Sequence, residues 1–238
     1  MEPTFIFLPG LGESHRSFKH QTAAFPNSYA ADWIDPLPNE PLEQYAVRWS
    51  ETIRIELDKQ SKSSIVVCGH SLGGMLAPYV ARELGASGCI LLASIREPNQ
   101  YPKRYYCGWL LSLFPPLQLA LLFSVQLLAK FFLCFPWLLR WFIPPKVVRA
   151  FAETPLIRLS RLSRMMFHWA YRHRLPEKNV EVFSKPTLQI HGTCDRQLPV
   201  QLTNPDIRIE GGGHLLPITH PEKINEIIGR FADNLRQN

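Results

Sequence analysis

A glycine–x–serine–x–glycine motif stands at residues 69–73 and is the pattern that points most directly to chemistry. It consists of Gly69, His70, Ser71, Leu72 and Gly73. A short β-branched stretch precedes it and a helical pattern follows, which is the strand–turn–helix context of a nucleophile elbow. Small residues on both sides of the serine allow a tight turn, so that the hydroxyl projects above the sheet. The motif therefore predicts that Ser71 is a nucleophile.

A nucleophilic serine requires a histidine as general base and an acid that orients the imidazole. Asp195 follows one predicted strand near the C-terminus, and His214 follows the next strand after three glycines. Because parallel strands end at the same edge of a sheet, we expect both side chains at the edge that carries Ser71. The order Ser, Asp, His along the chain is also that of α/β enzymes with this elbow. We predict a triad of Ser71, Asp195 and His214.

The sequence has eight histidines, so rivals for the triad must be weighed. His220 precedes a proline at the start of a helical pattern, a position more typical of a structural residue. His191 comes directly from a buried strand, where a histidine usually satisfies a backbone group. Asp206 opens a strand and is therefore expected at the opposite edge of the sheet. These three residues are weaker alternatives to His214 and Asp195.

The glycine-containing loop after the first strand, Pro9–Gly12, is the candidate oxyanion loop. In acyl transfer, one donor comes from such a loop and another from the residue after the nucleophile. We therefore assign the backbone N–H groups of Leu11 and Leu72 as oxyanion donors. Phosphate binding is a weaker interpretation, because a third glycine and a Gly-Lys-Ser/Thr sequence are missing. No cluster has metal-ligand spacing, so we predict neither a metal nor an organic cofactor.

Apolar patterns predict an α/β fold with a mostly parallel sheet of about six strands flanked by helices. The predicted strands are Thr4–Leu8, Ser28–Trp33, Ser64–Cys68, Gly88–Ala93, Thr187–His191 and Asp206–Glu210. The predicted helices that accompany them are Leu42–Gln60, Ser71–Leu84 and Glu222–Leu235. The alternation breaks between residues 96 and 185, which are rich in apolar, helix-forming residues. We therefore expect a core of residues 1–95 and 186–238, with a helical cap inserted at 96–185.

The cap sequence raises the question of a membrane span, because Gly108–Ala129 contains no charged residue. A single span is incompatible with the triad, since Ser71 precedes it and His214 follows it, on what would be opposite sides of the bilayer. Pro115 and Pro116 also interrupt a helix near the start of this segment. We expect a cap that borders an apolar acyl pocket. Peripheral contact with a membrane and association into a homo-oligomer are left open.

Positive charge is concentrated in residues 140–174, which carry eight basic residues against Glu153, whereas the net charge of the whole chain is +6. Arg158, Arg161 and Arg164 recur every third residue and so share one side of a helix. Beside an apolar segment, such a row suits an anionic lipid surface or an acidic substrate, although a solvated helix face has the same pattern. Since no nucleic-acid-binding motif is present, we predict no nucleic-acid partner.

Composition and cysteine usage limit the classes of protein to which the chain can belong. A chain of 238 residues that is 46% hydrophobic and 19% charged is neither disordered nor collagen-like. Its five cysteines are scattered and contain no C-x-x-C pair, which argues against a disulfide framework or a zinc site. The N-terminal residues lack the basic region of a signal peptide. We therefore expect a cytoplasmic protein with free thiols.

Taken together, the motifs resemble those of the α/β-hydrolase superfamily. The resemblance is carried by Leu8–Gly12, Gly69–Gly74, His191–Asp195, and Gly213-His214 with Pro221 seven residues later. It covers residues 4–95 and 186–235. It departs from the family pattern in having Pro9-Gly10 where His-Gly is common. It implies the α/β-hydrolase fold and a serine-hydrolase mechanism, with a first strand that corresponds to the third strand of the family.

Three classes of function are compatible with these observations. The first is a serine hydrolase that cleaves a small-molecule apolar ester or thioester through an acyl-enzyme. The second keeps the fold and triad but acts as a C–C bond hydrolase or lyase, since one fold hosts several chemistries. The third is a binding or scaffold module without catalysis. A complete triad in the correct order argues against the third class.

Overall fold

Six parallel strands form one sheet at the centre of the molecule. The computed structural model describes residues 2–57, 64–134, 145–172 and 182–237. Its strands are β1 (Thr4–Leu8), β2 (Ser28–Ala30), β3 (Ile65–His70), β4 (Gly88–Leu92), β5 (Thr187–Gly192) and β6 (Ile207–Ile209). They lie in the order β2-β1-β3-β4-β5-β6, and every neighbouring pair is parallel. The predicted α/β-hydrolase fold, with about six strands, is confirmed.

Helices cover both faces of the sheet, and within the described residues four further helices lie in the chain segment that connects β4 to β5. They are α1 (Lys19–Ala24), α2 (Leu42–Leu57), α3 (Leu72–Glu83), α4 (Tyr106–Ser112), α5 (Pro115–Leu133), α6 (Pro145–Glu153), α7 (Leu156–Arg172), α8 (Leu216–Thr219) and α9 (Pro221–Gln237). Short 3-10 turns occur at His15–Phe18, Pro98–Gln100, Lys103–Tyr105 and Val200–Leu202. Helices α4–α7, which we call the cap, fall within the predicted insertion. The last three residues of the predicted helix Leu42–Gln60 lie outside the described residues.

Five of the six strands differ in their bounds from the sequence prediction: β4, β5 and β6 by one residue at one or both ends, and β2 and β3 by more. β3 continues to His70 instead of ending at Cys68, because Gly69 and His70 still pair with β4. β2 ends at Ala30, three residues before the predicted end at Trp33. The Trp33 indole N–H donates to the Gly10 carbonyl and its ring stacks on Trp49, so side-chain contacts hold this stretch in place of strand pairing.

The sheet is buried on both faces because its strands alternate apolar side chains between two core clusters. In β1, Ile6 and Leu8 join the cluster beneath α2 and α3, whereas Phe5 and Phe7 join the cluster beneath α9. Continuous apolar strands of this kind are expected where helices cover both faces of a parallel sheet. The reactive groups are consequently confined to the loops at the carboxyl edge.

The cap shares the core of the sheet domain. Leu162 and Trp169 of α7 belong to the same buried cluster as Leu76 of α3, and the Trp169 indole N–H donates to the Tyr79 hydroxyl at 3.0 Å. Pro115 occupies the first position of α5. A backbone N–H at this position has no partner within the helix, so a proline there removes no helical hydrogen bond. The prolines therefore separate α4 from α5.

Arg158, Arg161 and Arg164 lie on one side of α7, and they attach the cap to the core. Arg158 pairs with Asp35 at 2.6 Å, and Arg161 donates to the Pro36 carbonyl at 2.8 Å. Arg164 donates to the side-chain oxygen of Asn39 at 3.2 Å. This row of positive charge thus has protein partners in the loop 35–39.

We predict that Leu162→Ala lowers the free energy of unfolding of the whole protein by about 2–5 kcal/mol, because it leaves a cavity in the shared core. The exposed Ile157, five residues earlier in α7, provides the control: Ile157→Ala should change this free energy by less than about 0.5 kcal/mol. Urea denaturation followed by circular dichroism measures both. A separate early transition of the cap in Leu162→Ala would contradict a continuous core.

Candidate active site

Ser71 lies at the turn from β3 to α3 in a strained backbone conformation, with φ 51° and ψ −117°. The turn requires glycine on both sides. A Cβ atom on Gly69 would lie 2.2 Å from the Gly73 carbonyl oxygen, and one on Gly73 would lie 2.3 Å from the Leu8 carbonyl oxygen. Because no side chain fits at these distances, the spacing of the motif has a direct steric cause. The elbow predicted from residues 69–73 has this geometry.

Three side chains from three different loops meet at the elbow. Ser71 Oγ lies 2.9 Å from Nε2 of His214, and His214 Nδ1 lies 2.8 Å from Oδ2 of Asp195. Asp195 follows β5 and His214 follows β6, so all three groups leave the carboxyl edge of the sheet. The structure therefore brings together the three residues that the sequence predicted as a triad.

The surroundings of Asp195 keep its carboxylate ionised. Burial by itself raises the pKa of Asp195, but hydrogen bonds from His191, His214 and the backbone N–H of Leu198 outweigh burial. The pKa of this carboxyl consequently lies well below its usual range. An ionised carboxylate can only accept, so Nδ1 of His214 carries a proton and Nε2 is free to accept one from Ser71.

His214 is neutral near pH 7 because burial lowers the pKa of its imidazole. The hydrogen bond to Asp195 raises this pKa, whereas the charge of nearby His70 lowers it, and the net pKa is below 6.5. A neutral imidazole that holds its proton on Nδ1 is the form that can act as a general base toward the serine hydroxyl.

Glu13 and His70 form a buried pair behind these residues. His70 Nδ1 lies 3.0 Å from Oε2 of Glu13, and His70 Nε2 lies 2.7 Å from the carbonyl oxygen of His214. A carbonyl only accepts, so Nε2 carries a proton. Burial lowers the pKa of His70, but the Glu13 carboxylate and this carbonyl raise it to a net value above 6.5. The raised pKa of His70 favours an imidazolium beside the Glu13 carboxylate, whose own pKa is lowered by His70 against the effect of burial.

The loop after β1 lies beside the elbow because Leu8 pairs with Gly69 across β1 and β3. Oε2 of Glu13 accepts the Gly10 N–H at 3.0 Å, and the Glu13 N–H donates to the Gly10 carbonyl at 3.0 Å. These bonds close a tight turn that has Leu11 at its second position. Leu72 begins α3, where the first N–H groups of a helix have no partner within the helix. Both predicted oxyanion donors thus lie in segments adjacent to Ser71.

Hydrogen bonds behind Ser71, which the sequence did not predict, support the elbow. The Ser94 hydroxyl donates to the Ser71 carbonyl at 2.6 Å, and the Gln189 side-chain amide donates to the Ser94 carbonyl at 2.7 Å. Glu13 was likewise not predicted, and His70 was predicted only as part of the motif. Short motifs do not reveal these contacts, because the partners are far apart in the sequence. Glu13 and His70 are separated by 57 residues, and Ser94 and Gln189 by 95 residues.

The rival residues have other partners. His220 is away from Ser71 and contacts the Thr219 hydroxyl. Asp206 accepts the Gln189 backbone N–H at 2.7 Å and pairs with Arg96 at the far end of the sheet. His191 lies 2.6 Å from the Leu198 carbonyl oxygen, as expected of a histidine that satisfies a backbone group. It also lies 3.1 Å from Oδ2 of Asp195, a contact that was not predicted.

The cap contacts the candidate oxyanion loop at Gly12, and it borders a separate cleft. The Phe151 ring of α6 packs so closely on Gly12 that a Cβ atom there would lie 2.7 Å from it. A cleft of about 510 Å³ lies between the cap and residues 37–43. Trp109, Met165 and Arg164 are among its lining residues, but no member of the triad is. Within the described ranges, no cluster of histidine, cysteine or acidic side chains is suited to a metal ion.

Comparison with known proteins agrees with this fold. A family model described as the alpha/beta hydrolase family matches residues 5–227. The chain belongs to the alpha/beta hydrolase family. It is thereby identified as an enzyme of the hydrolase class. The comparison with curated protein sequences found no significant match.

Solved structures of this family superpose over nearly the whole chain at low sequence identity. MenH from S. aureus matches with a TM-score of 0.68 and 17% identity, covering 99% of this chain and 95% of that one. A thermophilic esterase from Thermogutta terrifontis gives 0.69 and 15%, with coverages of 98% and 90%. The enol-lactonase from Burkholderia xenovorans LB400 gives 0.63 and 16%, with coverages of 97% and 91%. At these identities the likeness establishes the fold.

We predict that both ring nitrogens of His70 are protonated at pH 6, because Glu13 raises the pKa of this imidazole above its ordinary value. Long-range ¹H–¹⁵N correlation spectra across a pH titration measure this state, and loss of the signal in His70→Gln assigns it. Glu13→Gln should lower the His70 pKa, whereas Glu222→Gln at an exposed acid of α9 should leave it unchanged. A single neutral tautomer of His70 at pH 6 would contradict the ion pair.

Proposed function

We propose that the protein is a serine hydrolase that cleaves an apolar ester or thioester through an acyl-enzyme on Ser71. The observation that carries this proposal is the continuous chain of hydrogen bonds from Ser71 through His214 to Asp195, at 2.9 and 2.8 Å. A neutral imidazole between a serine hydroxyl and an ionised carboxylate is the arrangement that activates a serine toward a carbonyl carbon.

In the first half of the reaction, Ser71 Oγ attacks the substrate carbonyl while its proton passes to Nε2 of His214. The carbonyl oxygen becomes an oxyanion, which the backbone N–H groups of Leu11 and Leu72 stabilise. The tetrahedral intermediate then collapses. The imidazolium of His214 gives its proton to the departing alcohol or thiol, and the acyl group remains on Ser71 as an ester. Asp195 stays ionised throughout and stabilises the imidazolium.

In the second half, His214 takes a proton from water as the water oxygen attacks the acyl-enzyme. A second tetrahedral intermediate forms at the same oxyanion position. Its collapse releases the carboxylic acid and returns the proton from His214 to Ser71. The Glu13–His70 pair assists indirectly, because His70 holds the backbone of His214 while Glu13 holds the turn that carries Leu11.

The apolar character of the substrate is inferred from the cap. Phe151 of α6 lies directly over the oxyanion loop, where the acyl group or the leaving group would pass. Residues 105–129, which include α4 and most of α5, contain no charged side chain. A cytoplasmic location is part of this proposal, because the chain has five cysteines and all are free thiols.

We expect Ser71→Ala to lower kcat/KM for p-nitrophenyl esters by at least about 10³-fold, because it removes the nucleophile. For the unsubstituted protein, kcat/KM should rise from short to long acyl chains. The control is Ser124→Ala, at an exposed serine of α5, which should retain full activity. Labelling by a fluorophosphonate probe should likewise disappear only in Ser71→Ala.

Two outcomes of that experiment would argue against the proposal. Ester hydrolysis that persists in Ser71→Ala would remove Ser71 from the mechanism. Labelling of Ser71 without turnover of any ester would indicate instead a C–C bond hydrolase or lyase that uses the same activated serine.

The pH dependence of kcat/KM should show an acid limb with a midpoint below 6.5. Protonated His214 cannot accept the serine proton, so activity is lost as the pH falls through the pKa of this imidazole. Burial and the charge of His70 hold that pKa below the ordinary value of 6.5, against the opposing effect of Asp195. Initial rates at low substrate concentration over a range of pH measure the limb, which reports the free enzyme. A midpoint above 6.5 would contradict the assignment of a neutral buried base.

A further inference from the structure

Helix α5 buries polar residues and exposes apolar ones, which is the reverse of a helix on the surface of a water-soluble protein. Its two glutamines, Gln118 and Gln126, are buried against the rest of the cap, and seven of its large apolar residues are exposed. A surface helix normally has the opposite arrangement, with apolar residues facing the core. Within the described part of the chain, α5 is also the one helix long and apolar enough to cross a membrane, although only 11% of its most apolar window is buried.

Hydrogen bonds at two levels attach the polar face of α5 to the cap. The Gln118 amide nitrogen donates to the Ser163 hydroxyl at 3.0 Å, and its oxygen accepts the Ser160 hydroxyl at 2.9 Å. The Gln126 amide donates to the carbonyls of Phe151 at 3.0 Å and Thr154 at 2.8 Å. Because these bonds satisfy buried amides along α5, the rotation of the helix about its axis is specified, and the side of the helix opposite the glutamines faces outward.

The outward residues form a continuous apolar face. Ten large side chains of α4, α5 and the turn between them are between 42% and 63% exposed: Leu110, Leu113, Phe114, Leu117, Leu121, Phe123, Val125, Leu127, Leu128 and Phe131. We call these ten residues the apolar face. Ser124, an exposed neighbour of these residues on α5, donates its hydroxyl to the Ala120 carbonyl within the helix, so that this group needs no water. So large an exposed apolar surface marks an interaction site.

The charge around the apolar face selects its partner. From Pro98 to Glu153 the sequence contains six basic residues, Lys103, Arg104, Lys130, Arg140, Lys146 and Arg149, against one acid, Glu153, at the end of α6. Lys130 lies in the last turn of α5 and Arg149 on α6, which packs against α5, and both are exposed. An apolar surface in a segment with six basic residues and one acid is complementary to an anionic lipid surface.

Two other occupants fit less well. A second copy of the chain would bring an identical basic segment to the interface, with one acid in that segment against six basic residues. A transmembrane orientation of α5 would pull it away from the cap, to which Gln118 and Gln126 attach it, and place Ser71 and His214 on opposite sides of the bilayer. These two side chains are 2.9 Å apart.

We infer that the apolar face docks the protein on an anionic membrane surface, with α5 lying in the plane of the interface. The leucines and phenylalanines enter the boundary between headgroups and acyl chains, and Lys130 extends to the lipid phosphates. The same helix contacts the segment that covers the candidate active site, since Gln126 is bonded to the Phe151 carbonyl and the Phe151 ring packs on Gly12. Docking would therefore place the cap side of the enzyme against the membrane.

The test is co-sedimentation of the full chain with unilamellar vesicles. One set contains phosphatidylcholine alone, and in the other phosphatidylglycerol replaces about a third of the lipid. We expect binding to the anionic vesicles to be tighter than to the neutral ones, and to weaken with added salt. The double variant Leu121→Gln, Leu128→Gln should lower binding on the order of tenfold or more, because two exposed leucines no longer enter the lipid.

Matched variants separate the apolar and electrostatic contributions. Ile55→Gln with Leu202→Gln changes two exposed apolar residues outside the cap and should leave vesicle binding unchanged. Lys130→Gln should lower binding to the anionic vesicles about fivefold, with little effect on the neutral ones. Circular dichroism and thermal unfolding confirm that each variant is folded, as expected for substitutions at exposed positions. Since binding is measured without substrate, the result does not depend on the proposed hydrolysis.

Three results would overturn the inference. The first is equal binding of the unsubstituted protein and the Leu121→Gln, Leu128→Gln variant to anionic vesicles. The second is equal binding to neutral and anionic vesicles. The third is a dimer in sedimentation equilibrium that binds neither type of vesicle and dissociates in the Leu121→Gln, Leu128→Gln variant, which would assign the apolar face to a second copy.

Discussion

The close approach of two backbone segments at the end of β3 is the constraint on which the rest of the site depends. Gly69 contacts the Gly73 carbonyl, and Gly73 contacts the carbonyl of Leu8 at the end of β1, at distances that exclude any side chain. This contact forces the chain through the unusual backbone angles of Ser71, and it places the loop after β1 beside the first turn of α3. The same close backbone contact thus positions Ser71 and the proposed oxyanion donors. The hydrogen bond from the Ser94 hydroxyl to the Ser71 carbonyl stabilises the strained turn.

The buried pair of Glu13 and His70 extends this arrangement to the base. Glu13 holds the turn at Gly10, and His70 holds the carbonyl of His214. An ion pair in this position links the loop after β1 with the loop after β6. It also places a positive charge near His214, which favours the neutral form of the general base. A buried ion pair costs desolvation energy and is weak evidence for stability in general. Here its geometry indicates that it orients functional loops.

The cap combines two kinds of contact that differ in character. Its inner helix, α7, continues the apolar core of the sheet domain through Leu162 and Trp169, and three of its arginines bond to the loop 35–39. Its outer helix, α5, is attached by glutamines and presents leucine and phenylalanine outward. Polar contacts inside and apolar residues outside are the arrangement expected where the surrounding medium is itself apolar. The proposed hydrolysis of apolar substrates and the inferred docking on lipid are consistent with each other, although they rest on different residues.

The sequence by itself determined the fold and the three residues of the candidate triad, because each depends on local patterns. Strand and helix periodicity specify a parallel sheet, and the motif at 69–73 together with Asp195 and His214 follows from where those strands end. The end of β2 and the extension of β3 were misjudged, since both depend on side-chain stacking and strand pairing between distant segments. Only the tertiary structure decided the Glu13–His70 pair, the second role of His191 beside Asp195, and the partners of the α7 arginines. The composition of residues 108–129 indicated an apolar helix, but not that its glutamines would face inward. That orientation depends on serines and carbonyls of α6 and α7, which come within hydrogen-bonding distance only when the chain is folded.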